Sequence, residues 1–455
     1  MSDPTRRLAA LVAAATLAML HAMPARGLTL DDALSDAYAS NPQLAAARAG
    51  QRKLDEGVPQ AMAQRRPTIQ AQAGLGATNG ATTGSSSANG SRTDTRVGPI
   101  GAISLNVPVW TGGRADAAVA GAKARVEAGL AALRGTEQDV LLRAATAYVD
   151  VLRDEKVVEV SRNHERELEA ELNSAKRRAA AGMLRQPDIA ATEAQVAQSQ
   201  ARLSQAEGDL DLAKQVFQGI VGVPPDRLAP AKLPHGLPAM RDEVVAASAD
   251  SPSLQAAQHT VDAARDAVRS ARAQMAPSVA AVGSLGYPIS SGELVLTIPL
   301  LDGGLAESQA RGAKQELAQR RLELDGQQTA ARQDAVTAWQ ALQTAQSSID
   351  ADQAQVTAAQ ATRDGLAREA AQGLRTQLEV LGADQRLLDA ELALAGAHHD
   401  QIVGAYRLLA ATGRLTAQDL NLKVNTYDPT QYAATTGAPL WDPVQVGHAY
   451  RNALP

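Results

Sequence analysis

The chain is written twice, which constrains it to fold as two copies of one supersecondary unit. Asn41-Pro42-Gln43-Leu44 recurs as Ser251-Pro252-Ser253-Leu254, Pro67 as Pro277, and Leu75-Gly76 as Leu285-Gly286, all at an offset of 210. The offset then falls to 191 and holds. Pro108 maps to Pro299, Gly112-Gly113 to Gly303-Gly304, Gly121 to Gly312, Gly135 to Gly326, Tyr148 to Trp339, Gly182 to Gly373 and Gly222 to Gly413. The difference of 19 residues falls on one segment, Asn79 to Gly98. That segment is rich in Gly, Ser, Thr and Asn and reads as a long loop too polar to fold alone.

Both copies carry the same order of elements. An Ala-rich helix is expected from Pro42 to Arg65 and from Pro252 to Met275, stopped by Pro67 and Pro277. Two strands of about 10 residues follow, the length a tilted strand needs to cross a bilayer. In the first copy Ile69, Ala71, Ala73 and Leu75 alternate with polar residues, as do Ile103, Leu105, Val107 and Val109. In the second, Val279, Ala281, Leu285 and Tyr287 share one face, and Leu294, Leu296, Ile298 and Leu300 another. Period-two alternation gives each strand one apolar and one polar face. In a transmembrane barrel the apolar face meets lipid and the polar face lines a lumen.

After Pro-x-x-x-Gly-Gly comes a long helical pattern, Arg114 to Ala181 and Leu305 to Gln372. Val119, Val126, Leu133, Val140 and Ala147 fall at heptad spacing, as do Ala310, Leu317, Leu324, Ala331 and Ala338, the mark of helices coiling around neighbours. At 1.5 Å per residue such a helix reaches roughly 100 Å. A break near Gly182 and Gly373 then returns the chain along a second helix, Asp188 to Val221 and Leu378 to Thr412. The expected layout is a signal peptide over 1–27, a first repeat over 28–222, a proline-rich linker over 223–238, a second repeat over 239–413 and an irregular tail over 414–455.

Composition agrees with long, closely packed helices. Aromatic residues make up 2% of the chain, with a single Phe, too few rings for an ordinary globular core of this size. Arg6 and Arg7 precede an apolar run from Leu8 to Leu20 and small residues near Ala25, the pattern of a secretory signal peptide. No later run of apolar residues is long enough for a spanning helix. The absence of cysteine excludes disulfides and thiolate chemistry. A net charge of -5, with both signs scattered, carries no nucleic-acid footprint.

Four strands cannot close a barrel, and an open sheet edge cannot sit in lipid, so copies of the chain must combine. Two chains would give eight strands with a filled interior, and three would give twelve with room for a lumen. Strand count alone leaves the number open. Gly-x-Ser-x-Gly, phosphate-loop and zinc-helix motifs are missing, and His398-His399-Asp400 places adjacent side chains about 100° apart on a helix, a poor chelate. Neither catalytic, metal nor cofactor-binding residues are assigned. The rival reading is a periplasmic coiled-coil adaptor or scaffold, which shares the long helices but needs neither two copies nor lipid-facing strands.

The sequence resembles the TolC-type outer-membrane factor family over nearly the whole expected mature chain. The resemblance rests on the order of elements and on local wording: Leu28-Thr29-Leu30-Asp31-Asp32-Ala33, Asn41-Pro42-x-Leu44, the Pro-x-x-x-Gly-Gly turns, Ala338-Trp339, and Gly373-Leu374-Arg375-Thr376-x-x-Glu379-Val380-Leu381. It implies a mainly α chain with transmembrane β-strands, a homotrimer forming a 12-stranded outer-membrane β-barrel continuous with a 12-helix periplasmic α-barrel. It also implies partners: a periplasmic adaptor (membrane fusion protein) and an inner-membrane ABC, RND or similar transporter. By position, Arg375 and Asp188 match the family's gate-link residues and Glu379 its first acidic ring position. The family's second acidic position is Gly382 here, and its hydroxyl partner position is Pro187. The hairpin tips at Gly182 and Gly373 would meet the adaptor. Trp110 and Tyr287, at strand ends, are expected as interfacial aromatics, although packing against the helices would explain them equally.

Overall fold

The computed structural model describes residues 27–80, 94–181, 185–286 and 290–436. Apart from Gly27, the expected signal peptide lies outside the described residues. The elements are α1 (Leu30–Ser40), α2 (Pro42–Asp55), α3 (Gly57–Ala63), β1 (Thr68–Gly80), β2 (Asp94–Trp110), α4 (Arg114–Ala180), α5 (Gln186–Val221), α6 (Arg241–Ala247), α7 (Pro252–Ala273), β3 (Ser278–Gly286), β4 (Ser290–Thr297), α8 (Leu305–Ala371), α9 (Gln377–Ala411) and α10 (Pro429–Thr436). No helix among the described residues is long and apolar enough to cross a membrane.

Five local expectations are corrected. The helix from Pro42 to Arg65 is two helices, because Pro59 has no N–H to offer Asp55 and the ladder breaks beside Glu56. A helix the sequence reading missed, α1, precedes them, opened by a capping box in which Thr29 accepts from Asp32 N. The first-copy loop is shorter than Asn79 to Gly98, since β1 runs to Gly80 and β2 starts at Asp94. β4 stops at Thr297, so Ile298 and Leu300 lie beyond it; Pro299 cannot donate to a ladder. The tail, expected to be irregular, contains α10.

Among the described residues, those up to Ala45 with those of Thr136–Ser248 and Gln333–Thr426 form one compact unit; those of Ala46–Gly135 and Ala249–Arg332 and those from Tyr427 form another. The second unit holds the sheet, an antiparallel meander in the order β1-β2-β3-β4. Ile69 pairs with Leu105, Ala71 with Ile103, Ile103 with Leu285, and Ala281 with Leu294. Directly paired residues share a face, so one apolar surface runs across all four strands. It is bare: Leu294 is 70% exposed, Leu285 64% and Ile69 57%. The opposite face carries Gln70 against Ser104, Ser104 against Ser284 and Ser284 against Ser291. Gly112 shows why the turn after β2 is glycine: its φ is +64°, and a Cβ there would lie 2.7 Å from Ala276 Cβ and 2.8 Å from the Pro277 carbonyl.

The first unit is built around the middle of α4. Leu141, Ala144, Tyr148 and Val151 are buried there with Phe217 and Val221 of α5, and the Tyr148 and Phe217 rings lie 6.2 Å apart. Of the heptad positions along α4, Val119, Leu133, Val140 and Ala147 are buried and Val126 is half-buried. Tyr148 also fastens two chain segments. Leu28 and Leu228 form a parallel bridge, with Leu28 N donating to the Arg227 carbonyl at 2.7 Å and Ala229 N to the Leu28 carbonyl at 2.9 Å. The Tyr148 hydroxyl lies 2.8 Å from the Leu28 carbonyl and 2.5 Å from that of Ala229. Burial pushes its pKa up to about 12, so it stays a donor. Tyr148→Phe keeps the ring and removes this tie; the expected loss is about 1–3 kcal/mol, read as a lowered melting temperature.

Candidate functional site

The sequence points to the hairpin turns, and the α8–α9 turn lies wholly within the described residues. α8 ends at Ala371. Gly373, at φ +76°, donates to the Ala370 carbonyl at 3.0 Å, and Leu374 N donates to the Glu369 carbonyl at 3.0 Å. This pair of bonds closes a helix C-terminus only when the intervening residue is left-handed, which glycine allows. Three residues later Thr376 opens α9 with a capping box: Glu379 Oε2 accepts from Thr376 N at 2.8 Å, and Thr376 Oγ1 accepts from Glu379 N at 3.4 Å.

Arg375 sits between the two helix ends. Its Nε donates to Glu369 Oε2 at 2.9 Å and its Nη1 to Glu379 Oε1 at 3.1 Å. One guanidinium therefore joins the last turn of α8 to the first turn of α9. The hydrogen bonds from Thr376, then Arg375, hold the Glu379 carboxyl below the usual range, so it is anionic at neutral pH. The two carboxylates raise the Arg375 pKa in turn.

Asp188 lies in the first turn of α5 and faces Arg185 Nε at 3.6 Å. Arg375 and Glu379 are thus brought together, while Asp188 has its own partner; among the described residues no ion pair is found between Arg375 and Asp188. Gly182 lies outside the described residues, as does Tyr287. Trp110 ends β2, 51% exposed, just past an irregularity in register between Pro108 and Trp110. Glu369 is a participant that sequence reasoning missed. It lies six residues before Arg375 across a turn, a spacing that no helical or strand period singles out. The Thr376–Glu379 box, in contrast, was readable as Thr-x-x-Glu.

His398-His399-Asp400 resolves into a clamp between helices. His399 Nε2 lies 2.9 Å from Asp150 Oδ1 of α4, and Nδ1 lies 2.9 Å from Asp400 Oδ1. Only an imidazolium can donate from both nitrogens, so both contacts favour the charged ring. The hydrogen bond to Asp150 raises the His399 pKa, against burial and the nearby Arg153, with Asp400 adding to the rise. Among the described residues no group of three or more His, Cys, Asp or Glu could hold a metal ion. A raised histidine pKa stabilises the fold in full below the ordinary value near 6.5, and the contribution fades as pH rises through the raised value. His399→Gln should therefore lower the melting temperature at about pH 5.5 and have a much smaller effect at about pH 9.

Comparisons with known proteins follow the same architecture. The family described as Outer membrane efflux protein matches residues 33–223 and 244–414, one match per repeat. The chain is 32% identical over 438 residues to the outer membrane efflux protein BepC of Brucella suis biovar 1 (strain 1330), covering 93% of this chain and 94% of that protein. It is 25% identical over 312 residues to the alkaline protease secretion protein AprF of Pseudomonas aeruginosa, covering 64% of each. Among solved structures, the outer membrane protein VceC of Vibrio cholerae superposes with a TM-score of 0.74 at 21% identity, covering 84% of this chain and 96% of that one.

Proposed function

The chain belongs to the outer membrane efflux protein family, and on that premise we propose that three copies form a continuous exit duct whose inner mouth is closed by the hairpin turns. The protein resides in the outer membrane and acts as a passive channel for efflux or secretion. The observation that carries the assembly is the sheet: a bare apolar face across four strands, with β1 and β4 each open at one edge. Lipid accepts the face but not the edges. Closing β4 of one copy on β1 of the next satisfies both, and three copies give twelve strands around a lumen. Helices of 67 residues, roughly 100 Å long, carry the path away from the membrane.

At the mouth, Arg375 and Glu379 of each copy place a cation and an anion at the α8–α9 turn, with Asp188 at the start of α5. Arg375 holds the turn compact, and Glu379 and Glu369 give it negative charge. The turns at Gly182 and Gly373 are the surface offered to a periplasmic adaptor, through which an inner-membrane ABC, RND or similar transporter delivers cargo. Trp110, at the end of β2 on the apolar side, anchors the sheet at the lipid interface.

Cell fractionation tests the membrane assignment: the protein is expected in the outer-membrane fraction, and recovery in the soluble periplasm overturns the reading. For the mouth, Arg375→Ala is expected to raise single-channel conductance in planar bilayers, because it frees both carboxylates from the turn. Conductance equal to that of the unaltered channel removes Arg375 from the gate.

A further inference from the structure

The two hairpins, α4–α5 and α8–α9, are repeats of each other, yet their internal ion pairs differ. In the first, Lys176 Nζ meets Glu193 Oε1 at 3.0 Å, with side chains 52% and 51% exposed. The offset of 191 carries Glu193 onto Asp384, another acid, but carries Lys176 onto Ala367 and Leu172 onto Arg363. The second hairpin therefore keeps the acid and draws its base from one turn earlier, at a position that is apolar in the first copy.

That displaced base does more than its counterpart. Arg363 Nε donates to Asp384 Oδ1 at 2.9 Å within its own hairpin, and Nη2 donates to Glu167 Oε2 at 3.0 Å on α4 of the other. Nη1 reaches the neighbouring Asp364 at 3.3 Å. The Asp384 side chain is only 10% exposed, whereas Glu167 is 54% exposed. Around this point Leu168, Val196 and Leu381 form an apolar cluster joining α4, α5 and α9, and Arg202 donates to Gln385 at 2.7 Å. The first hairpin is braced by exposed two-partner pairs, Lys176–Glu193 and Arg162–Glu207. A guanidinium that donates in several directions at once serves a different purpose, because a lysine ammonium is a single point charge without the planar fork.

We propose that Arg363 is a positioning residue for gating: it clasps the α8–α9 hairpin to α4 through Glu167 and so sets how far the α8–α9 turn stands from the first hairpin. This rests on the channel reading above. The two halves of the clasp are unequal. Asp384 is buried, and losing its cation would leave a charge uncompensated. Glu167 is exposed, and water replaces Arg363 there at little cost. When the hairpins part, the Arg363–Glu167 bond breaks while Arg363 and Asp384 travel together.

Two readouts test the clasp. Single-channel conductance follows the mouth. Spin labels at Asn173→Cys on α4 and Arg368→Cys on α8, introduced into a chain that has no native cysteine, report the separation of the hairpins directly. Glu167→Gln and Arg363→Lys leave Asp384 with its partner. Both are expected to lengthen and broaden the label distance and to raise conductance severalfold, and Arg363→Gln to do so further. If Arg363→Gln fails to assemble, Glu167→Gln, which touches only an exposed partner, decides. Unaltered label distances in Glu167→Gln and Arg363→Lys overturn the clasp. If neither the unaltered protein nor any of the variants conducts current, the channel reading fails, while the label distances still decide whether Arg363 holds the hairpins together.

Discussion

Main-chain N–H and C=O groups in hydrocarbon must find partners within protein, because no water is there to accept them. A four-stranded meander violates this at both edges, and the rest of the protein follows from the violation. β1 and β4 cannot meet within one chain of four strands, so closure requires copies. The apolar face that runs from Ile69 through Leu105 and Ala281 to Leu294 would be a liability in water and is the required surface in lipid. The helices inherit the symmetry that the strands impose, since each strand pair feeds a long hairpin.

The duplication supplies a framework, and the copies diverge in the side-chain ties laid over it. Tyr148 ties the N-terminal segment to the linker through its hydroxyl, whereas its counterpart Trp339 packs beside Val244, Ala335 and Leu408, its indole N–H without a partner among the described residues. The α8–α9 turn is stitched by Arg375, Thr376 and Glu379, whereas Arg185, the residue before α5, makes no side-chain cap bond among the described residues. The surface pair Lys176–Glu193 of one copy has as its counterpart Arg363–Asp384, extended to Glu167, in the other. These divergences gather in the hairpins, far along the chain from the strands.

Much of this was legible in the sequence because the signals were periodic or local. Sustained sevens located α4 and α8, and Gly222, Gly373 and Gly413 marked helix ends because each adopts a positive φ. The capping box at Thr376–Glu379 lies within four residues and could be read from spacing alone. Expectation and structure part where a local signal competes with the period. Pro59 splits the helix that the Ala-rich pattern predicts, Thr29 opens a helix that no period announces, and the Gly- and Ser-rich stretch gives its ends to β1 and β2.

The sequence by itself determined the duplication, the strand faces, the long hairpins and the need for more than one chain, because each follows from residue period or from the pairing demands of the backbone. Only the tertiary structure decided which charges meet. Arg375 with Glu369, His399 with Asp150 and Arg363 with Glu167 lie 6, 249 and 196 residues apart. No period links such positions. A charged side chain on a helix surface has many candidate partners until packing fixes the rotation of each helix about its axis, and that rotation is set by buried residues such as Leu168, Val196 and Leu381 rather than by the charges themselves.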